Sequence, residues 1–442
     1  MIEKIIYICT IILALIACFF LFRRQILTII KTKILLFLDL ILWIKGFKFG
    51  FFLFGNGKLK FRFPSKVHIN TIIRKIIDVF AIKNNSNYIE KTLIIIKLDA
   101  IGDYVLFHNF LNEIKNTPKY KDYKITLCGN QLWKDVTLSF KTNCDDFIWI
   151  NKNKFSKDLA YRYKTLKIIN KKKFEIAVNP HYSRDFLYYD SIIQATSAKE
   201  RIGFECNLSN ISEIEKFVSD KYYTNIINSN PKTLFEFYRN TEFFEKFLER
   251  KINLTKPSLF FENIPKFEIP FTDFAVIFPS ASKLDKIWDA KNFFAVSKYL
   301  YEKYNLKTII CGGKGDEKYS TQILSYGFNE MFFDLTGKTD LVELTYILSK
   351  AKILISNDTS AVHFAVAVQT NTIYVLNGSH FGRFGPYPNG IAQNVISLYP
   401  DEITSNLSNF DFLCKEYEHL SPLDINSIKI KEVIRNIDKL LA

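Results

Sequence analysis

The apolar pattern at the start of the chain differs from the pattern in the rest. Residues 5–22, IIYICTIILALIACFFLF, are 18 positions without a charge. A helix spanning a bilayer takes about 20 mostly apolar residues. Arg23, Arg24, Lys31 and Lys33 follow, against Glu3 and Lys4 before. That excess of cations puts the C-terminal side in the cytoplasm. The run ends in FFLFRR and lacks a basic start and a small-residue cleavage site. An uncleaved transmembrane anchor over 1–22 is therefore expected rather than a signal peptide. A second run, ILLFLDLILWI at 34–44, is short and contains Asp39. A charge in the bilayer core is costly, so this piece is expected to lie in the interface. Residues 45–90 read as basic and irregular, completing a juxtamembrane or interfacial segment over 23–90.

At residue 91 the pattern changes. Short β-branched runs alternate with helical patterns: TLIIIKL, VLFHNFLNEIK, KITLCG, then DDFIWI and FEIAVNP. Such alternation predicts parallel βαβ units. Residues 204–260 read as mostly helical. A second series begins with FAVIFPS (274–280) and the helix AKNFFAVSKYLYEKY. It continues through LKTIICGG, LVELTYILSKA, KILISND and SAVHFAVAV to a closing strand, NTIYVLNG. The tail NSIKIKEVIRNIDKLLA predicts an amphipathic helix. Two doubly wound domains are expected, 91–262 and 263–442, facing a cleft, with ligands at the carboxyl ends of strands.

Composition adds an anionic partner to this picture. Sixty Lys and Arg against 45 Asp and Glu give +15. Such a surplus suits an acidic membrane face or phosphorylated substrates, the alternative being an ordinary solvated basic surface, and the scattered lysines carry no nucleic-acid-binding signature. Seven cysteines without a C-x-x-C pair point to free thiols in a reducing compartment.

No glycine fingerprint for a dinucleotide follows a strand. GGKGDE (312–317) has the wrong spacing, and TGKT (336–339) lacks the first glycine of a P-loop. No D-x-D occurs, nor a His/Glu pair at metal-ligating spacing, so no metal is expected. Three stretches carry candidate chemistry. In KLDAIGDYVLFHNF (97–110), Asp103 reads as the residue just before a helix, either its N-cap or a general base. In FPSASKLDKIWDAKNF (278–293), Lys283 and Lys286 follow a strand's carboxyl end, where a cation can neutralise phosphate; the alternative is a surface loop, and Trp288 reads as core. In ISNDTSAVHFAVA (355–367), the amides of Thr359, Ser360 and Ala361 sit at a helix N-terminus suited to an anion, with His363 one turn in. There the alternative makes Asp358 an N-cap and His363 a core histidine. In VNPHYSRD (178–185), His181 and Arg184 are candidates to contact an anionic acceptor.

In order and spacing these stretches resemble glycosyltransferase family 9, the heptosyltransferases of lipopolysaccharide core synthesis. LIIIKLDAIGDYVLFHNFLNEIK is similar to the family's opening strand, S-x-G-D turn and helix. FPSASKLDKIW is similar to its H-P-G-A-s…K-x-W segment, and IICGGKGDE to its G-G-x-x-D-E loop. LTGKTDLVELTYILSKAKILISNDTSAVHFAVAV resembles its G-x-x-x-L-x-E-L…S-N-D-T/S-G-x-x-H-x-A-A segment, and GRFGPYP its R-x-G-P-Y loop. The resemblance covers about residues 91–440.

It implies an α/β GT-B fold of two Rossmann-like domains, acceptor half first and donor half second. The reaction implied is inverting and metal-independent, with no cofactor beyond a nucleotide-sugar donor, typically ADP-heptose. Asp103 matches the catalytic base and Lys286 the lysine near the donor's phosphates. Ser280, Lys283, Asp358, Thr359, Ser360, Ala361 and His363 fall in the donor-binding segments. The acceptor would be an anionic glycolipid or lipopolysaccharide core at the bacterial inner membrane, with the catalytic domains on the cytoplasmic face. Ser360 and Ser280 stand where the family has Gly, Phe278 where it has His, and Asp99 where it has a hydroxyl. The other reading is a membrane-anchored, catalytically degenerate GT-B binding module.

Overall fold

A computed structural model describes residues 52–53, 59–60, 66–83 and 87–442. The apolar runs at 5–22 and 34–44, and the expected anchor with them, lie outside the described residues. Among the described residues no helix is long and apolar enough to cross a membrane.

Apart from a ladder between 52–53 and 59–60, the strands form two six-stranded sheets. The first holds β1 (Ile89–Lys97), β2 (Lys124–Asn130), β3 (Asp146–Ile150), β4 (Phe174–Asn179), β5 (Glu200–Phe204) and β6 (Asn225–Ile227). The second holds β7 (Phe274–Phe278), β8 (Lys307–Ile310), β9 (Phe332–Asp334), β10 (Ile353–Asn357), β11 (Thr372–Val375) and β12 (Val395–Leu398). The spatial orders are β3-β2-β1-β4-β5-β6 and β9-β8-β7-β10-β11-β12. Each is the 3-2-1-4-5-6 order of a doubly wound sheet, whose ligands bind where the order reverses. In the first sheet that point is the end of β1. In the second it is the ends of β7 and β10. The candidate stretches at 97–103, 278–286 and 357–363 leave the strands at these ends.

Two expectations need correcting here. NTIYVLNG does not close the second series, because β12 follows it along the sheet. The short strands β5, β6 and β9 also carry too few residues for alternation to show. The helix read over VLFHNFLNEIK is two pieces, α2 (Ile101–Val105) and a second at Phe110–Lys115, separated by turns.

The chain divides into two compact units, one of residues to Ile96 with Ile150–Ile226, the other of Lys97–Trp149 with Ile227–Ala442. In the first unit a 16-residue helix, α1 (Lys66–Ala81), replaces the irregular segment expected there. It packs on the helices Leu159–Lys171 and Tyr189–Thr196. Its contact face is polar. Asp78 accepts from Arg162 Nε at 2.6 Å and from Nη2 at 2.7 Å, and both side chains are buried. Lys75 is buried beside them and donates to Ser191 at 3.2 Å and Gln194 at 3.1 Å. Ile73, Ile76 and Phe80 face outward. The segment read as irregular is thus a helix whose apolar Ile73, Ile76 and Phe80 lie on its exposed side.

In the second unit β7 is apolar throughout and β10 over Ile353–Ile355, as strands covered on both faces are. Phe274–Ile277 and Ile353–Ile355 are fully buried. Trp288 packs into the same core, with Phe293, Val296 and Leu300 of the helix Ala290–Tyr304 and Val433 and Ile437 of the helix Ile430–Leu441.

Candidate active site

β1 ends at Lys97, and three residues carry the chain into α2. Asp103 is not the N-cap of this helix. The cap position is Ala100, without a side-chain bond, and Asp103 is the third helical residue. Gly102 sets how closely the turn approaches its neighbour. A Cβ there would stand 2.5 Å from His363 Cδ2, so any side chain would push apart α2 and the helix Ser360–Ala367, here α3.

A cluster of charges surrounds Asp103. Lys97 is 1% exposed, lies over the Phe107 ring and pairs with Asp99 at 2.7 Å. Glu236, the first residue of the helix Glu236–Leu248, is buried. Its carboxylate accepts from Arg383 Nε at 2.9 Å, and its backbone N–H donates to the Arg383 carbonyl at 2.8 Å. Burial and the carboxylates of Asp99 and Glu236 push the Asp103 carboxyl up to about 7, against the pull of Lys97 and Arg383. A carboxylate that binds a proton near neutral pH is matched to general base work.

The second group of residues follows β7 and β10. Asn357 clamps the loop after β7: its amide donates to the Pro279 carbonyl at 2.8 Å and its oxygen accepts from Trp288 N–H at 3.1 Å. Ser280 donates to Asp316 at 2.7 Å, and the same carboxylate oxygen accepts from Gly313 N–H at 2.8 Å. Lys286 Nζ stands 2.6 Å from Asp358 Oδ2. The cap of α3 is Thr359, not Asp358, and its hydroxyl accepts from Ala361 N–H at 3.3 Å. The Ala361 amide is thus turned to the cap. His363 is buried, with Nδ1 at the Tyr387 hydroxyl, and burial lowers its pKa to about 4, so the ring is neutral.

These two groups share one cavity of about 550 Å³, within the usual range for small-molecule sites of about 300–1,000 Å³. Asp103, Lys283, Lys286 and Asp358 line it, as do Ser280, Thr359, Ser360 and His363. Ala361 is buried behind the wall. His181 and Arg184 are elsewhere, in the first unit. His181 is stacked on Tyr189 with Nδ1 at 2.6 Å from Asn179 Oδ1. Arg184 is fully buried, lies over the Tyr223 ring and pairs with Asp220 and Asp190.

Lys97, Glu236, Arg383, Asp316 and Asn357 went unassigned in the sequence. Asp316 and Arg383 sit within GGKGDE and GRFGPYP, which were legible as loops. Glu236 carried no signal, because its partner is 147 residues away.

Comparison with known proteins gives the family and the fold. The model of glycosyltransferase family 9 (heptosyltransferase) matches residues 164–408. Over 143 residues the chain is 28% identical to the lipopolysaccharide core heptosyltransferase OpsX of Haemophilus influenzae, a match spanning 31% of this chain and 40% of that protein. The fold is similar to that of a family 9 glycosyltransferase from Veillonella parvula, with TM-score 0.63 and 17% identity over 81% of this chain and 99% of the other. It is also similar to that of E. coli heptosyltransferase WaaC with ADP, with TM-score 0.60 and 14% identity over 79% and 99%. The family match covers more than half of the 442 residues, and the chain belongs to glycosyltransferase family 9.

Proposed function

We propose that the protein is an inverting glycosyltransferase that moves a sugar, heptose from ADP-heptose, to a lipopolysaccharide or related surface-glycan acceptor without a metal. The observation that carries this reading is the single cavity holding Asp103 on one wall and Lys286 with the start of α3 on another. Family membership supports the reaction class. Similarity to the lipopolysaccharide core heptosyltransferase OpsX and to heptosyltransferase WaaC with ADP supports the sugar, the acceptor class and the nucleotide.

In this mechanism the Asp103 carboxylate removes the proton of an acceptor hydroxyl. The oxygen attacks the anomeric carbon from the face opposite the diphosphate. The bond from that carbon to the phosphate oxygen breaks, and the nucleoside diphosphate leaves with the electron pair. Lys286 and the N-terminus of α3 at Ser360 face the charge that develops there. Fixed cations and dipoles aimed at developing charge are usually the largest catalytic contribution. Lys286 provides a positive charge on the leaving group from the protein itself. Residues 91–262 serve the acceptor and 263–442 the donor. Residues 1–22 hold the enzyme at the inner membrane, with its catalytic part on the cytoplasmic face.

The test is donor-dependent product formation by the full chain, with ADP-, UDP-, GDP- and CDP-linked sugars compared by thermal shift and nucleotide release. Stabilisation and turnover by ADP-heptose alone is the expected result. A donor that binds without turnover on any surface-glycan acceptor would instead leave a binding module.

A further inference from the structure

From residue 70 to its end, the helix Lys66–Ala81 buries polar side chains together with Ala81 and exposes an apolar stripe. Thr71, Lys75 and Asp78 are buried against the neighbouring helices, while Ile73, Ile76 and Phe80 are exposed, Phe80 by 56%. The spacings of three and four residues put these three on one stripe. The stripe is rigidly held. Asp78 and Arg162 lock the helix from beneath, Arg74 Nε donates to the Ser156 carbonyl at 2.7 Å, and Lys83 N–H donates to Asn170 at 3.0 Å.

The segments it is locked to are basic. Residues 151–173, NKNKFSKDLAYRYKTLKIINKKK, hold eight lysines and Arg162 against one acid, Asp158. Arg162 is consumed by Asp78, but Lys154, Lys157, Lys164 and Lys171 are exposed. Ile168 is exposed between Lys164 and Lys171 on the same helix face. The chain leading into this helix carries the 18-residue uncharged run at 5–22 and the apolar run at 34–44. An exposed apolar stripe on a helix packed against a lysine-rich segment, and preceded in the sequence by such apolar runs, matches an anionic lipid surface.

We propose that the outer face of the helix Lys66–Ala81, through Ile73, Ile76 and Phe80, seats on an anionic bilayer, with the lysines of 154–171 on its headgroups. The helix is then a second contact that orients the enzyme on the membrane. The proposal deepens the membrane part of the reading above and is independent of the sugar chemistry.

A local probe tests it in the full chain. Ile76→Cys is made in a Cys9→Ser/Cys18→Ser background and labelled with an environment-sensitive nitrobenzoxadiazole group. Cys128, Cys206, Cys311 and Cys414 are buried, and burial pushes the half-buried Cys144 thiol up to about 11, so labelling goes to position 76. Vesicles of phosphatidylcholine and phosphatidylglycerol in equal parts should raise the emission several-fold and shift it to the blue. Acyl-brominated lipid should quench it, and Lys164→Glu/Lys171→Glu should weaken the response. Flotation of the same chain reports anchoring separately. A chain that floats while the probe emits as in water overturns the seating of this helix and leaves the N-terminal anchor standing. A probe already shielded before lipid is added also overturns it, and gives the stripe to residues 1–65 or to a second copy. A chain that does not float with these vesicles removes both.

Discussion

Lys97 and Asp99 meet at 2.7 Å at the end of β1, and through this pair the second aspartate of the turn acquires a role. Asp99 neutralises a lysine that is 1% exposed, and its charge also raises the proton affinity of Asp103. Asp99→Asn should therefore act in two ways. The acid limb of the pH–rate profile should move down by roughly one pH unit, the scale of one neighbouring charge. The melting temperature should fall, because a buried cation that loses its partner is costly. An unmoved acid limb in a folded variant would show that Asp99 does not tune the base.

Asp103→Asn should lower turnover by several orders of magnitude while donor binding, read by thermal shift, is retained. Its stability carries the opposite sign. The folded-state carboxyl is held at about 7 against an ordinary 3.8. The folded state thus binds this proton more tightly than the unfolded chain does. Its contribution is fully present below pH 3.8 and is lost as pH rises through about 7. The neutral Asn escapes that loss. Relative to the parent, the variant should gain melting temperature between pH 4 and pH 8, measured by calorimetry in paired buffers.

The two doubly wound sheets were legible because strand–helix alternation and strand-end motifs are local. So were Asp103, Lys286 and the segment at 358–363, each of which follows a β-branched run. What surrounds Asp103 was not. Lys97 reads as the end of a strand, and Glu236 as one polar position in a helix. Only the fold brings Glu236 to Arg383. The helix Lys66–Ala81 was missed for another reason. Periodicity assigns apolar residues to the core, whereas there Asp78–Arg162 is the core contact and Ile73, Ile76 and Phe80 are exposed. The caps were misplaced by one to three residues. Thr359 caps α3 in place of Asp358, and Ala100 holds the cap position of α2 without a side-chain bond.

Lys286 is held at 2.6 Å by Asp358, so the cation is positioned before any donor arrives. Lys286→Met should raise the donor KM about 10–100-fold, the range for a charge-assisted hydrogen bond of ~1.5–3 kcal/mol. It should also lower kcat, since charge on the leaving diphosphate grows in the transition state. Steady-state kinetics with varied donor would check both, and an unchanged KM with unchanged kcat would remove Lys286 from the donor site.

The Asp78–Arg162 pair makes a prediction about stability rather than turnover. Removing one partner of a buried pair leaves an uncompensated charge, which costs about 3–5 kcal/mol. Arg162→Met should therefore unfold the first unit at markedly lower denaturant. Asp78 also pairs with the buried Lys75 at 3.4 Å, so adding both Asp78→Leu and Lys75→Met should recover much of the loss, because no member of the cluster is then left charged and buried. Urea titrations of the single and triple variants measure this. Equal loss in both would mean that packing around Arg162, not charge, holds the helix.

Gly102 links the catalytic turn to the donor helix by contact alone. A methyl group there would stand 2.5 Å from His363 Cδ2. His363 cannot easily retreat, since it is buried and its Nδ1 is engaged with the Tyr387 hydroxyl. Gly102→Ala must therefore shift α2, which carries Asp103 one residue later. A displacement of about 1 Å in a catalytic group costs on the order of 100-fold in rate. The variant should lose kcat by that order with a smaller change in donor KM. His363→Ala in the same chain should restore part of the loss by opening the space. Full activity in Gly102→Ala would mean that the turn relaxes without moving its base.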